Sequence, residues 1–371
     1  MRILIGAGGT GGHVYPALAV AEVLQQHLPQ AELVFVATRG GFEKPLLEQS
    51  HVRFQSVYEI FAGPLHGVNF LLAIRSLFLY LLGLVQSLYI LIKHRADIVF
   101  LTGGWANVPL ALAAWLLRKK IVLYLPDIEP GATIQLIKRF ATQVAITVPD
   151  SAQYFKPGQT TVTGYPLQRS RIHADRQQAL QHFSLDPHQP TLLITGGSRG
   201  AQTLNIAIEK ILPDLLDAGI QLIHITGTFD WERVQQQTAA WLDHPAYHAY
   251  PYLNDEMGQA LAAADLVLCR SGASALGELP FFGLPSILVP YPFAWRYQKT
   301  NADYLVSHGA GFRLDDAKME QELLPLIIEL MHNDSKRQAM AAAAKSLNTG
   351  DGADHIARLL VEQSGGQVWS N

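Results

Sequence analysis

The chain is poor in cysteine, in charge and in any excess of one sign. Its 371 residues include one cysteine, Cys269. A lone thiol closes no internal disulfide, so the fold does not depend on an oxidising compartment. Charged residues make up 16% of the chain and the net charge is −3. Nucleic-acid binding calls for a basic footprint, and the overall balance lacks one. There is no low-complexity tract and no repeat of 20–50 residues. The N-terminus, Met1-Arg2-Ile3-Leu4-Ile5-Gly6, runs straight into glycines, without the longer apolar run and small-residue cleavage site of a secretory leader. A cytoplasmic location is therefore expected.

Apolar residues are plentiful, at 49%. That is enough for a packed core, and the length suggests two domains at roughly 150 residues each. Short apolar runs alternate with helical patterns. Residues 2–6, 32–37, 97–102 and 120–124 have the composition of buried parallel strands, and 16–28 is predicted as a helix with Pro16 in its first turn. The pattern restarts at 191–195, with a helix from about Ala201 and further strands at 220–225, 265–269 and 286–289. Repeated βα units in both halves predict an α/β protein of two doubly wound parallel sheets. The polar, proline-bearing stretch 165–190 is the expected join. Two such domains would face a cleft at their strand C-termini, where open α/β sheets bind ligands.

Two glycine loops stand at equivalent places, each after a strand and before a helix. The first is Gly6-Ala7-Gly8-Gly9-Thr10-Gly11-Gly12-His13; the second is Gly196-Gly197-Ser198-Arg199-Gly200-Ala201. Glycine lets the backbone take positive φ and lets a phosphate approach the N–H groups at a helix start. Gly6, Gly8 and Gly11 also satisfy a dinucleotide fingerprint, but the strand that should end in a carboxylate ends Val36-Ala37-Thr38-Arg39. A tight turn with no ligand is the other alternative at each loop.

The run from Gly8 to Pro16 closely resembles the N-terminal signature of the MurG type of glycosyltransferase family 28, which adds N-acetylglucosamine to undecaprenyl-pyrophosphate-linked muramyl pentapeptide. Four further segments are similar to motifs of that family, in the same order: Gly103-Gly104-Trp105, the second glycine loop, Cys269-Arg270-Ser271-Gly272-Ala273 with Gly277-Glu278-Leu279, and Arg296-Tyr297-Gln298 through Asn301-Ala302. The resemblance implies a GT-B fold and an inverting transfer from UDP-N-acetylglucosamine; no cofactor is expected and, without an Asp-x-Asp, no metal. It implies an acceptor- and membrane-facing domain at 1–168 and a nucleotide-sugar domain at 169–371, and a C-terminal helix near 352–363 that can cross back onto the first domain. No Asp-x-Asp is present; Asp127-Ile128-Glu129 is the nearest analogue.

The same resemblance assigns roles. Thr10, Gly11 and Gly12 would line the acceptor side, with His13 taking or steering the proton of the attacking hydroxyl. Ser198, Arg199, Gly200 and the backbone of Gly272, Ala273 and Ser274 would face the donor diphosphate. Tyr252 and Leu253 would hold the uracil, Glu278 the ribose hydroxyls and Gln298 the sugar hydroxyls, with Asn301 also among the substrate-binding residues. Arg270 would lie near the donor or form an ion pair beneath it. The chain also departs from the family. Asp127 stands where an asparagine is usual, a neighbouring Glu-Gln pair is missing, and Gln168 replaces a phosphate-reading arginine, with Arg169 next to it. Aspartate can take a proton where asparagine cannot, so Asp127 is a second candidate base. These changes leave open another lipid-linked acceptor, or a homologue that binds nucleotide sugar without turnover.

Residues 76–92 carry no charge and are flanked by Arg75 and by Lys93-His94-Arg95. The stretch is at the short end for a membrane span. A buried crossover helix, a helix lying in the interface of an anionic membrane through residues 68–95, and a true span are the alternatives.

Overall fold

The computed structural model describes residues 1–9, 11–41, 43–63, 70–197, 200–293 and 297–369. The chain divides into two compact units, Met1–Gln168 with Thr349–Asn371, and Arg169–Asn348. Among the described residues each unit is built on one parallel sheet.

In the first unit the strands are β1 (Arg2–Gly6), β2 (Glu32–Thr38), β3 (Ser56–Ile60), β4 (Ile98–Leu101), β5 (Lys120–Leu125), β6 (Gln143–Ile146) and β7 (Thr160–Val162), in the order β3-β2-β1-β4-β5-β6-β7. In the second they are β8 (Thr191–Thr195), β9 (Gln221–Ile225), β10 (Tyr247–Tyr250), β11 (Leu266–Cys269), β12 (Ser286–Leu288) and β13 (Gly311–Arg313), in the order β10-β9-β8-β11-β12-β13. The two orders agree strand for strand, with β7 as an extra edge. Ile3 of β1 pairs with Leu33 on one side and Ile98 on the other; Leu192 of β8 pairs with Leu222 and Leu266. The winding therefore reverses between β1 and β4, and again between β8 and β11. Such switch points leave a crevice at the strand C-termini.

Helices cover these sheets because their apolar positions recur at helical spacing. In the helix Gln202–Asp217, Leu204, Ile208, Leu212 and Leu215 are buried, packed in one core with Leu192, Ile194 and Leu222. Burying each such side chain contributes about 1.5–3 kcal/mol. The helix Ala275–Phe282 stops at Gly283, whose φ of 67° is the left-handed conformation that glycine takes without penalty.

Several expectations are revised. The first helix runs Gly11–His27, so Pro16 lies in its second turn rather than its first. A proline there has no N–H for the carbonyl of Gly12, four residues back. β3, β6, β7, β10 and β13 went unread. Four of them are sheet edges, and β3 alternates exposed and sheltered residues instead of forming an apolar run. The second unit ends at Asn348, short of the boundary at 371. The helix Gly352–Ser364 packs on Gly11–His27 and buries Ile356, Ala357 and Leu360 in the first unit.

The apolar stretch lies in the helix Phe70–His94. Ser76, Tyr80, Gly83, Ser87, Ile90 and Leu91 face inward, against the helix Asn107–Leu116 and β3. Gly83 is needed there, since a Cβ would come within 2.1 Å of the Phe61 carbonyl oxygen. Leu77, Phe78, Leu81, Val85, Tyr89 and Ile92 point outward and are 57–65% exposed. The helix thus turns Ser76, Gly83 and Ser87 to the protein along with Ile90 and Leu91, and still leaves a stripe of large apolar residues on the outside.

Candidate functional site

Each switch point carries one of the glycine loops. In the first unit, the loop after β1 meets the loop after β4, and the two interlock through missing side chains. A Cβ on Gly104 would lie 2.5 Å from the Gly8 carbonyl oxygen, and one on Gly103 would lie 2.5 Å from Cε1 of His13. Gly103 and Gly104 have φ of 125° and 95°. Asn107, fully buried, donates from Nδ2 to the carbonyls of Gly6 (3.1 Å) and Gly103 (2.5 Å), tying the two loops together.

Gly11, Gly12 and His13 form the first turn of the helix that follows, where backbone N–H groups have no intrahelical partner. His13 is anchored by its own carbonyl, which accepts the Thr102 hydroxyl at 2.8 Å. Its Nδ1 is buried, with no hydrogen-bond partner among the described residues. Burial pushes its pKa down to about 4, so the ring is neutral at neutral pH. Asp127 follows β5, on the same edge of the sheet and half-buried. The turn before it is held by Thr147, whose hydroxyl donates to the Pro126 carbonyl at 2.9 Å and accepts from Tyr124 at 2.8 Å. Thr10 lies outside the described residues.

In the second unit, the loop after β8 meets the loop after β11. Gly200 donates to the Gly197 carbonyl at 2.9 Å, and a Cβ on Gly200 would strike the Thr226 carbonyl oxygen at 2.2 Å. This packs the loop on the end of β9. Ser198 and Arg199 lie outside the described residues. After β11, Gly272, Ala273 and Ser274 form the turn into the helix Ala275–Phe282, and no described protein group accepts their N–H groups. A Cβ built on Gly272 meets nothing within 4 Å. Three amides at a helix start without a described acceptor are suited to an anion.

The charged side chains here are engaged with the protein. Arg270 donates to the Val289 carbonyl (3.1 Å), the Thr203 hydroxyl (2.6 Å) and Asp316 (3.0 Å), and is 9% exposed. Of its two alternatives, the ion pair beneath the loop is the one the structure fills. Glu278 is buried and accepts from Arg171 Nη1. One carboxylate has more acceptor positions than this bond uses. Asn301, expected among the substrate-binding residues, is fully buried and donates to the Ser271 carbonyl at 3.1 Å. That bond ties it to the loop after β11. Gln298 accepts the Tyr291 N–H at 2.8 Å through Oε1. Tyr252 and Leu253 follow β10 on the same sheet edge, Leu253 buried and Tyr252 half-buried. Among the described residues no three His, Cys, Asp or Glu side chains gather as metal ligands.

Three contributors escaped the sequence reading: Asn107, Arg171 and Glu43, whose carboxylate accepts the Gly9 N–H at 3.2 Å. Glu43 sits five residues beyond the strand tip where a carboxylate was sought. Arg171 is 107 residues from its partner, and no local pattern signals such a pair.

The profile of the glycosyltransferase family 28 N-terminal domain matches residues 3–146, and that of the family's C-terminal domain matches 191–356. The chain belongs to glycosyltransferase family 28. Relatives of this family include a UDP-N-acetylglucosamine--N-acetylmuramyl-(pentapeptide) pyrophosphoryl-undecaprenol N-acetylglucosamine transferase of Chlorobaculum tepidum, 36% identical over 93% of this chain and 94% of that protein. A protein of the same name from Roseiflexus sp. is 35% identical over 97% of this chain and 94% of its own length. The crystal structure of Acinetobacter baumannii MurG aligns with a TM-score of 0.74 and 27% identity, covering 97% of this chain and 99% of that one. This family 28 chain is therefore a glycosyltransferase with two parallel-sheet α/β domains of the GT-B type.

Proposed function

We propose that the chain moves N-acetylglucosamine from UDP-N-acetylglucosamine to undecaprenyl-pyrophosphate-linked muramyl pentapeptide, a step of peptidoglycan precursor synthesis. The observation that carries this reading is the full-length similarity to transferases of that name, together with a glycine loop at the switch point of each unit. The second unit takes the donor. The amides of Gly272, Ala273 and Ser274, with Gly200, Ser198 and Arg199, meet the diphosphate. Glu278 accepts the ribose hydroxyls, Tyr252 and Leu253 hold the base, and Gln298 the sugar. The first unit takes the acceptor, with Gly11 and Gly12 at the helix start and Thr10 preceding them in the sequence. The acceptor hydroxyl oxygen bonds to the anomeric carbon from the side opposite the diphosphate. The bond from that carbon to the diphosphate oxygen breaks, and UDP leaves with the electron pair. The hydroxyl proton passes to His13, aided by Asp127. Preorganised amides at a helix start offset the charge that develops on the leaving diphosphate.

The acceptor's lipid places the enzyme at a membrane surface. The outward apolar face of Phe70–His94, beside Arg75, Lys93 and Arg95, supports peripheral attachment to an anionic inner leaflet. Its inner face, which includes the buried Ile90 and Leu91, would have to leave the core of the first unit for the helix to span.

The test is turnover of radiolabelled UDP-N-acetylglucosamine with the lipid-linked muramyl pentapeptide in detergent, with and without EDTA. Transfer that survives EDTA supports both acceptor and metal independence. UDP binding without transfer would favour a different lipid-linked acceptor, which Asp127 and Gln168 make the second reading.

A further inference from the structure

Glu43 opens the helix Glu43–Gln49 beyond β2 and is 1% exposed. Its carboxylate reaches back beneath the first glycine loop. Oε1 accepts the N–H of Gly9 at 3.2 Å. Two other glycines make room for it: a Cβ on Gly8 would lie 2.4 Å from Oε1, and one on Gly41 would lie 1.8 Å from Oε2. Oε2 is buried with no hydrogen-bond partner among the described residues. In a strand–glycine loop–helix unit, the anion held against the loop amides ordinarily comes from a ligand. Here a carboxyl group of the chain takes that place.

The loop it holds is mechanically tied to His13. Gly9 has φ of 86°, and its Cβ position lies 3.5 Å from the Cα of Gly104. Gly104 abuts the Gly8 carbonyl, and Gly103 lies under the His13 ring. A shift of the Gly8–Gly9 turn therefore moves the surface on which the imidazole rests. Burial pushes the Glu43 carboxyl above its usual range, while its own amide and that of Gly9 hold it down.

We propose that Glu43 is a positioning residue of the transfer reaction, an internal carboxylate that fixes the Gly8–Gly9 turn and, through it, the placement of His13. This rests on the transferase reading above.

The test compares Glu43→Ala and Glu43→Gln in the full chain. Hydrogen exchange is read at the amides of residues 6–13, and kcat and KM are read separately for donor and acceptor. In Glu43→Ala, exchange over 6–13 should accelerate about tenfold or more, and acceptor kcat/KM should fall roughly ten- to hundredfold, the scale of a lost buried charge-assisted hydrogen bond. Donor KM should stay within about twofold, since the donor residues lie in the other unit, and added formate should restore part of the turnover. Glu43→Gln keeps an acceptor oxygen for Gly9 and should retain most of the activity. Wild-type exchange at 6–13 in Glu43→Ala, or equal losses in the two variants, would overturn the proposal. If Glu43→Ala does not fold, Glu43→Asp, one methylene too short for Gly9, replaces it with the same expectations. The exchange measurement needs no acceptor. A wild-type protein that fails to transfer would therefore count against the acceptor reading and leave the result at Glu43 standing.

Discussion

The ring of His13 occupies the volume that a side chain at Gly103 would need: a Cβ there would lie 2.5 Å from Cε1 and 2.6 Å from Nδ1. Gly103 also has φ of 125°, which other residues adopt only under strain. Gly103→Ala should therefore cost stability by about 1–3 kcal/mol and push the imidazole off its seat. Turnover should fall far more than the melting temperature explains. UDP binding, measured by calorimetry, should be unchanged. A variant with normal kcat would remove His13's placement from the account of catalysis.

Arg171 and Glu278 form a pair whose side chains are 12% and 10% exposed. Removing one partner leaves a nearly buried charge, which costs about 3–5 kcal/mol; removing both costs less than the sum of the two. Chemical unfolding of Arg171→Ala, Glu278→Ala and the double variant should show that non-additivity. Glu278→Gln should in addition weaken UDP binding about tenfold, the effect of one charged hydrogen bond. Additive unfolding energies would place the pair in open solvent instead.

His224 is fully buried, and its network fixes its tautomer. Asn205 donates from Nδ2 to the Thr226 carbonyl (2.9 Å) and to Asp230 (2.7 Å), so its Oδ1 accepts from His224 Nε2 at 3.0 Å. Nδ1 then accepts the Tyr247 hydroxyl at 3.0 Å. Burial pushes this pKa down to about 3 from 6.5. Below pH 6.5 the unfolded chain takes up a proton that the folded chain refuses. Stability should thus fall as the pH drops from about 6.5 toward 3, by about 1.4 kcal/mol per pH unit for this one group. His13 acts in the same direction down to about 4. Urea unfolding between pH 7.5 and 5 should show the decline, and His224→Gln should flatten it. Superimposable slopes would mean that the ring is not neutral in the fold.

What could be read from the sequence follows from burial. β1, β2, β4, β5, β8, β9, β11 and β12 are central strands covered on both faces, so they announce themselves as apolar runs. The edge strands β3, β7, β10 and β13 carry no such run, and β6, though central and buried, is only four residues long and begins at Gln143. The glycine loops were visible because backbone shape dictates residue type at a close approach. Asn107, Glu43 and Arg171 were invisible for the opposite reason. Each meets a partner set by topology, at separations of 101, 34 and 107 residues, and a lone polar residue looks like any solvated one until the sheet order is known. Asn301 is the converse case: its motif was legible, while its bond to the Ser271 carbonyl was not. A motif marks a residue as belonging to a site without saying whether it meets the ligand or the loop that does.

The helix Phe70–His94 presents Leu77, Leu81, Val85 and Ile92 on one exposed face, each more than half exposed. Its Ser76, Gly83 and Ser87 are turned inward, and the Ser87 hydroxyl is satisfied by the Gly83 carbonyl at 2.7 Å. Water alone would favour the reverse arrangement, so the outer face calls for an apolar contact. Leu81→Asp with Val85→Asp should leave the fold and UDP binding intact, because neither side chain belongs to the core. The pair should abolish flotation with vesicles rich in anionic lipid, since each charge must be carried into the acyl boundary. Separately, raising salt should weaken the wild-type protein's binding through Arg75, Lys93 and Arg95 without eliminating it, as apolar burial is not screened. A double variant that still floats at low salt would show that the basic flanks alone hold the protein to the membrane. If wild-type binding is lost completely at moderate salt, the exposed leucines do not enter the membrane.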